Sequence, residues 1–201
     1  TARGAVTKAR IVAEATSLVR ERGVARTSLD AVMTASDTSR SQLYHYFADK
    51  DALIGEVIKT QLGRLIAAQE PLLGEVTSFS GLQRWCEHLV AMTRTTQGVG
   101  GCPLGSLVSQ LADRSDSARL ELARSFAEWQ SYLSTGFAVM RDDGELVPEA
   151  DPDELALTMM SALQGGLLMA QTTRSVRPLE LALNMALGHI AGYRNVPMQG
   201  Q

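Results

Sequence analysis

Cysteine, histidine, long apolar runs and strand-like alternation are all scarce in this chain, and each shortage removes a class of protein. Two cysteines in 201 residues, Cys86 and Cys102, make neither a disulfide framework nor a metal cluster. The three histidines, His45, His88 and His189, stand in no zinc-protease spacing, so no metal and no cofactor is expected. No apolar run approaches the roughly 18 residues of a membrane span, and no basic-plus-apolar leader opens the sequence. The expectation is a cytoplasmic protein with no membrane partner. Enzyme motifs are missing too. Gly98-x-Gly100-x-x-Pro103 has proline where a dinucleotide fingerprint needs glycine, and Gly100-x-x-x-x-Gly105 is followed by Ser106 instead of lysine. There is no G-x-S-x-G elbow, and the chain is not expected to be an enzyme.

What is present is helix, with 45% apolar residues, enough for a full core. The net charge of −3 is unevenly spread. Residues 1–60 hold nine Lys/Arg against seven Asp/Glu, and the remainder holds ten against fifteen. A mildly basic head on an acidic body fits a protein that touches nucleic acid with one end.

The most informative stretch is Thr27 to Lys50. Ser28 is placed to cap a short helix with Leu29, Val32 and Met33 at helical spacing. Ser36-Asp37 breaks the run, and aspartate tolerates the left-handed conformation of a tight turn. Ser39 then caps Arg40 to Tyr46, anchored by Leu43, and Asp49 caps a third helix. Two short helices joined by a tight turn are the plan of a helix-turn-helix, whose second helix enters the DNA major groove. The side chains of that second helix suit a groove. Arg40 can meet guanine or phosphate, Gln42 adenine, and Tyr44 and Lys50 phosphates, with Ser39, Ser41 and His45 crowded alongside.

The order of these residues, S-R-S-Q-L-Y-H-Y-F-A-D-K-D-A-L, resembles the signature of TetR-type transcriptional repressors. Gly23, Thr27 and the Leu29/Val32 pair match that family's first helix junction and second helix. Ser36-Asp37-Thr38 stand where A-G-V is usual, and Ser41 replaces a common glycine. G-G-C-P-L-G-S-L from Gly100 and Q-G-G-L-L from Gln164 resemble the LmrA/YxaF-like branch. The resemblance implies an all-α fold of about nine helices, with a DNA-binding domain at 1–49 and a ligand-binding and dimerisation domain at 50–201. It implies DNA contacts from Thr27, Ser28, Ser39, Arg40, Gln42, Tyr44, His45 and Lys50. Arg3, Lys8 and Arg10 are further candidates for phosphate proximity, with a disordered basic arm as the equal alternative.

Beyond Lys50 the stripes continue. A capping box at Ser80-x-x-Gln83 precedes Leu82, Trp85, Cys86, Leu89 and Thr93, and residues 95–101 form a polar, glycine-rich loop. Leu104, Leu107, Val108 and Leu111 form one stripe; Leu122, Phe126, Trp129, Leu133, Phe137 and Met140 form a longer one. Trp85, Leu89, Leu104, Leu107, Phe126, Trp129, Leu133 and Leu163 would line an effector cavity, with His88, Gln110, Gln130 and Gln164 to orient the guest. The same inventory fits a filled core, and the pocket reading leans on the resemblance. Without buried charge, the effector is expected to be an uncharged or cationic aromatic or lipophilic compound.

Asp151-Pro152-x-Glu154 opens a helix that is apolar almost all round to Ala170, so one side should meet another subunit. Ala162, Gly165, Gly166 and Ala170 are small enough for close approach. Pro178 opens the last helix. The resemblance puts a homodimer interface on Leu155, Met159, Ala162, Gly166, Leu179, Leu183, Ala186, Leu187 and Ile190; the alternative is that both helices are simply central core. The expected function is a ligand-responsive repressor that binds a near-palindromic operator as a homodimer. The alternatives are a DNA-binding regulator that senses no ligand, and a helical small-molecule-binding protein or enzyme with a vestigial head. Cys102 is read as a buried structural thiol.

Overall fold

Short polar residues and glycines cut the helical periodicity into separate rods, and the cuts fall close to where side-chain chemistry puts them. In the computed structural model, which describes residues 2–195, helix α1 (Ala2–Arg22) buries Ile11, Val12, Ala15, Thr16, Leu18 and Val19. It stops at Gly23, whose φ of +80° is cheap only for glycine and whose N–H donates to Val19 O at 2.9 Å. The Ser28 hydroxyl caps α2 (Leu29–Ser36) by accepting from Ala31 N at 3.1 Å. Asp37 ends it in the left-handed region at φ 46°, ψ 54°, as its tolerance for that conformation suggests. A capping box opens α3 (Arg40–Tyr46), and Asp49 opens α4 (Lys50–Gln69) by accepting from Ala52 N at 2.8 Å. Ile11, Val12, Ala15 and Leu18 of α1, Val32 of α2, Leu43 and Phe47 at α3, and Leu53 and Val57 of α4 close into one core.

A short 3-10 turn (Leu72–Glu75) then leads to α5 (Phe79–Thr95), α6 (Pro103–Leu111), α7 (Asp116–Asp142), α8 (Pro152–Thr173) and α9 (Arg177–Ala191). Among the described residues these are nine α-helices with no named strand; a single antiparallel bridge joins Leu146 and Arg194. No helix of the described residues is long and apolar enough to cross a membrane. One start differs from the sequence expectation. The cap of α5 is Ser78, not Ser80: its hydroxyl accepts from Gly81 N at 3.1 Å, and the Glu145 carboxylate accepts from Phe79 N at 3.2 Å. A carboxylate 66 residues away thus receives an N–H of the first turn, which the local sequence does not reveal.

The described chain gathers into two compact units that do not coincide with the expected division at residues 49 and 50. One comprises the residues through Leu65 together with Pro103–Phe126; the other comprises Ile66–Cys102 together with the residues from Ala127 onward. In the first unit, α6 and the start of α7 join the helix-turn-helix: Gln110 bonds to Val24, and Ser115 to Asp51. In the second, α8 and α9 pack closely. Gly166 makes that possible, since a Cβ there would lie 2.9 Å from the Leu179 Cα.

Gly136, in α7, lies still closer to its neighbour. A Cβ would meet Val76 O at 1.8 Å, whereas Gly63 on the exposed side of α4 has nothing within 4 Å. Gly136→Ala is expected to lose about 1–3 kcal/mol or more through forced backbone shifts. Gly63→Ala is expected to gain roughly 0.5–1 kcal/mol from helix propensity. Urea titrations of both variants check the pair; equal and small effects would refute the close approach.

Candidate functional site

Seven residues of α3 carry one buried side chain, Leu43, and Tyr46 is half-covered. All the others, Arg40, Ser41, Gln42, Tyr44 and His45, face outward with Ser39 at the helix start. The polar cluster of the sequence is therefore one continuous exposed surface. Its first turn is fixed by reciprocal bonds. Ser39 Oγ accepts from Gln42 N at 3.2 Å, and Gln42 Oε1 accepts from Ser39 N at 2.8 Å. The Arg40 guanidinium stands 5.6 Å from the Tyr44 ring centre, and His45 meets Tyr46 edge to face at 4.8 Å. Both contacts orient side chains that would otherwise sweep freely in water.

The capping box changes the chemistry assigned to Gln42. Bidentate reading of adenine needs the amide oxygen as acceptor and the nitrogen as donor on one outward edge. The oxygen accepts from Ser39 N, and the wholly unengaged group of the amide is the Nε2 donor. A donor matches guanine O6/N7, adenine N7 or thymine O4.

Three other expected contacts also stand differently. Lys50 Nζ donates to Val24 O at 2.8 Å at the head of α4, which engages one of the three ammonium donors with backbone. Thr27 is 2% exposed and its hydroxyl donates to Gly23 O at 2.9 Å; it holds the junction before α2 instead of presenting an OH. Lys8 lies 2.8 Å from Glu56, and that hydrogen bond holds the Glu56 carboxyl below the usual carboxylate range. The pair therefore persists into mildly acidic solution and is lost as pH falls through the lowered value. Ser28 is exposed as expected. Arg26, absent from the expected contacts, is exposed two residues before it.

The effector candidates fall into both units. Leu104, Leu107, Gln110 and Phe126 belong to the first; Trp85, His88, Leu89, Trp129, Gln130, Leu133, Leu163 and Gln164 belong to the second. Two glutamines are engaged elsewhere. Gln110 accepts from Val24 N at 2.8 Å and donates to Ser106 O at 2.9 Å, and Gln130 reaches the Asp153 carbonyl at 3.5 Å. Within the second unit, Trp85, Trp129, Leu133 and Leu163 are each at most 1% exposed. Trp85 Nε1 donates to Gln69 Oε1 at 2.9 Å, a buried polar partner outside the expected set, because nothing in a helix end before Pro71 marks it as internal. Gln164 Nε2 is buried without a hydrogen-bond partner among the described residues. Burial pushes the Cys86 thiol up to about 12, which leaves it protonated and inert near neutral pH. Cys102 is buried as well.

The residues expected at the dimer interface divide by burial within the single chain. Leu155, Met159, Leu179, Leu183, Ala186 and Ile190 are at most 2% exposed within the single chain, and Gly166 is buried against Leu179. These residues form the chain's own core and have no surface left to share. Only Ala162 and Leu187 of the expected set are partly open. The large apolar residues that do face outward are Leu157, Leu168 and Met169 of α8 and Leu181 and Met185 of α9. The sequence pattern could not tell these faces apart, because α8 is apolar on nearly all of them.

Comparison with known proteins gives a consistent answer. Residues 11–57 match the family model described as bacterial regulatory proteins, tetR family, and residues 79–186 match that of the tetracyclin repressor-like C-terminal domain. The chain is similar to the HTH-type transcriptional repressor DhaR of Mycobacterium sp. (strain GP1), 25% identical over 87% of each chain. It is similar to the HTH-type regulator YxaF of Bacillus subtilis (strain 168), 23% identical over 86% of this chain and 88% of that one. A TetR-family regulator from Cytophaga hutchinsonii shares the fold at a TM-score of 0.76 and 19% identity, covering 96% of this chain and 98% of that chain.

The Gln42 geometry yields a measurable consequence. Gln42→Glu keeps an acceptor for Ser39 N but replaces the outward donor with an acceptor. The base preferred at the position it faces is expected to change from one that offers an acceptor toward cytosine, whose N4 donates, with a discrimination of about 1–3 kcal/mol. Selection of duplexes from a random-sequence pool by both proteins measures it. Selection of cytosine by the wild type, or an unchanged preference in Gln42→Glu, would refute the outward-donor assignment.

Proposed function

Because the chain belongs to the TetR family of bacterial regulatory proteins and is a transcriptional regulator, we propose that it acts as a homodimeric repressor released from its operator by a small lipophilic molecule. The observation that carries the reading is the exposed face of α3, where a buried Leu43 leaves Arg40, Ser41, Tyr44 and His45 outward behind a closed capping box. No chemical step is involved, and the relatives are regulators, not enzymes. Two α3 helices, one per subunit, enter successive major grooves about 34–36 Å apart, so the operator mirrors the protein's two-fold axis.

The proposed dimer face is the outward side of α8 and α9. Leu157, Ser161, Gly165 and Leu168 follow one another at spacings of four, four and three along α8, and Leu181, Met185 and Gly188 do the same along α9; all are exposed. Leu168 and Met185 are 63% and 70% exposed, and such residues clustered on adjacent helices are characteristic of a surface that another protein covers. The small residues between them allow close helix contact.

Support for an effector comes from the second unit. Its apolar core includes two buried tryptophans, no charged side chain is buried among the described residues, and the Gln164 amide holds a donor without a partner. A neutral lipophilic guest with one carbonyl or ether acceptor suits that chemistry. An effector that favours the DNA-incompetent state by about 1–3 kcal/mol weakens operator affinity about 5- to 150-fold.

The decisive experiment joins sedimentation and DNA binding. Wild type is expected to sediment as a dimer and to select a palindrome, with affinity falling steeply as salt rises. Met185→Glu is expected to be folded but monomeric and to lose preference for two half-sites over one. A monomeric wild type at micromolar concentration, or no duplex preference, would overturn the proposal. Leu183→Glu is the contrast: its charge enters the chain's own core, and it should unfold the protein instead of dissociating it.

A further inference from the structure

We propose that Gln110 and Lys50 are positioning residues of the DNA-binding head, gripping the Val24 backbone through its N–H and its carbonyl and so setting where α2 and α3 stand. The proposal rests on reading the α3 face as the DNA-contacting one.

The junction between α1 and the Ser28 cap is five residues long. Three of its bonds are local: Gly23 N to Val19 O at 2.9 Å, Thr27 N to Val24 O at 3.2 Å, and Thr27 Oγ1 to Gly23 O at 2.9 Å. Two come from far along the chain. Gln110 Oε1, in α6, accepts from Val24 N at 2.8 Å across 86 residues, and Lys50 Nζ donates to Val24 O at 2.8 Å across 26. Gln110 is itself steadied, because its Nε2 donates to Ser106 O one turn back at 2.9 Å. Gly23 fits the same arrangement: its φ is +80°, and a Cβ would come within 2.9 Å of Gln110 Oε1.

Val24 is 7% exposed, so its N–H has little access to water as a substitute partner. A buried donor left without an acceptor is strongly disfavoured, and relief comes only by moving the junction. The junction runs directly into Ser28, the cap of α2, and α2 passes through the Asp37 turn to α3. With one contact from α6 and one from the first residue of α4, the placement of α3 depends on groups that touch no DNA. Lys50 acts here through the protein's backbone, which gives it a different signature from a phosphate contact.

The test uses the full chain and two readouts. The first is amide hydrogen exchange without DNA. Gln110→Met, similar in shape but lacking the acceptor, is expected to speed exchange about tenfold at Val24 and through α2 and α3, leaving Ile11 to Leu18 of α1 unchanged. Gln110→Glu keeps an acceptor for Val24 N but loses the donor to Ser106 O, so it should recover part of the protection lost in Gln110→Met; no recovery at all would count against the acceptor's role. Should Gln110→Met unfold the whole chain, Gln110→Asn, one methylene short of Val24, is the milder variant and is read the same way. Faster exchange at Val24 alone, with α2 and α3 unaffected, would overturn the proposal. The second readout is affinity, across a range of salt, for a duplex selected by the wild type. Gln110→Met and Lys50→Met are expected to weaken binding about tenfold with the salt slope unchanged. A slope flattened by about 0.9 in Lys50→Met would instead make that residue a phosphate ligand and overturn its part in the grip. If the wild type selects no duplex, the DNA-binding reading fails, and the exchange experiment still decides whether Gln110 holds the head.

Discussion

A helix of seven residues does not hold itself together in water, and α3 is seven residues long. Its stability comes from one anchor and two ends. Leu43, with no exposed surface, plugs it into the core made by α1, α2 and α4, the Ser39–Gln42 box closes its start, and Phe47 closes its finish. That single anchor leaves nearly every other side chain of α3 free to face outward. Much else in the first unit follows from the need to hold so short a rod: α1 supplies four residues to the same core, α4 supplies two, and a left-handed Asp37 sets the angle of approach.

The second unit faces the opposite difficulty. Its helices have more apolar surface than one chain covers. α8 and α9 bury their facing sides on each other, with Gly166 against Leu179, and still leave Leu157, Leu168, Leu181 and Met185 outside. Among the described residues of α8 and α9, the side chains that fill the core and those that face outward are distinct sets.

Polar groups inside the molecule mark where the fold is specified and where it is unfinished. Gln69 satisfies the Trp85 indole, Thr16 and Ser36 return their hydroxyls to their own helices, and Gln110 and Lys50 satisfy Val24. Against that pattern the Gln164 amide nitrogen stands out, because it is buried with no hydrogen-bond partner among the described residues. A buried donor without an acceptor is uncommon in a folded protein and draws attention to its surroundings.

The sequence by itself determined the helix-turn-helix. Ser28, Asp37, Ser39 and Asp49 act on their own neighbours within a turn, and the Leu29-to-Leu43 spacing places the anchors, so local chemistry was enough to give α3 its bounds and its outward face. It also determined the all-helical class, since period 3.6 runs through the chain. Only the tertiary structure decided which polar side chains remain available. Lys50, Thr27, Gln42 and Gln110 looked equivalent as free polar groups, and each is engaged by a backbone partner, in two cases one distant in sequence. It likewise decided which side of α8 is core. A helix apolar on almost every face carries no internal mark of which face its own chain covers, and that is settled only by where α9 comes to rest.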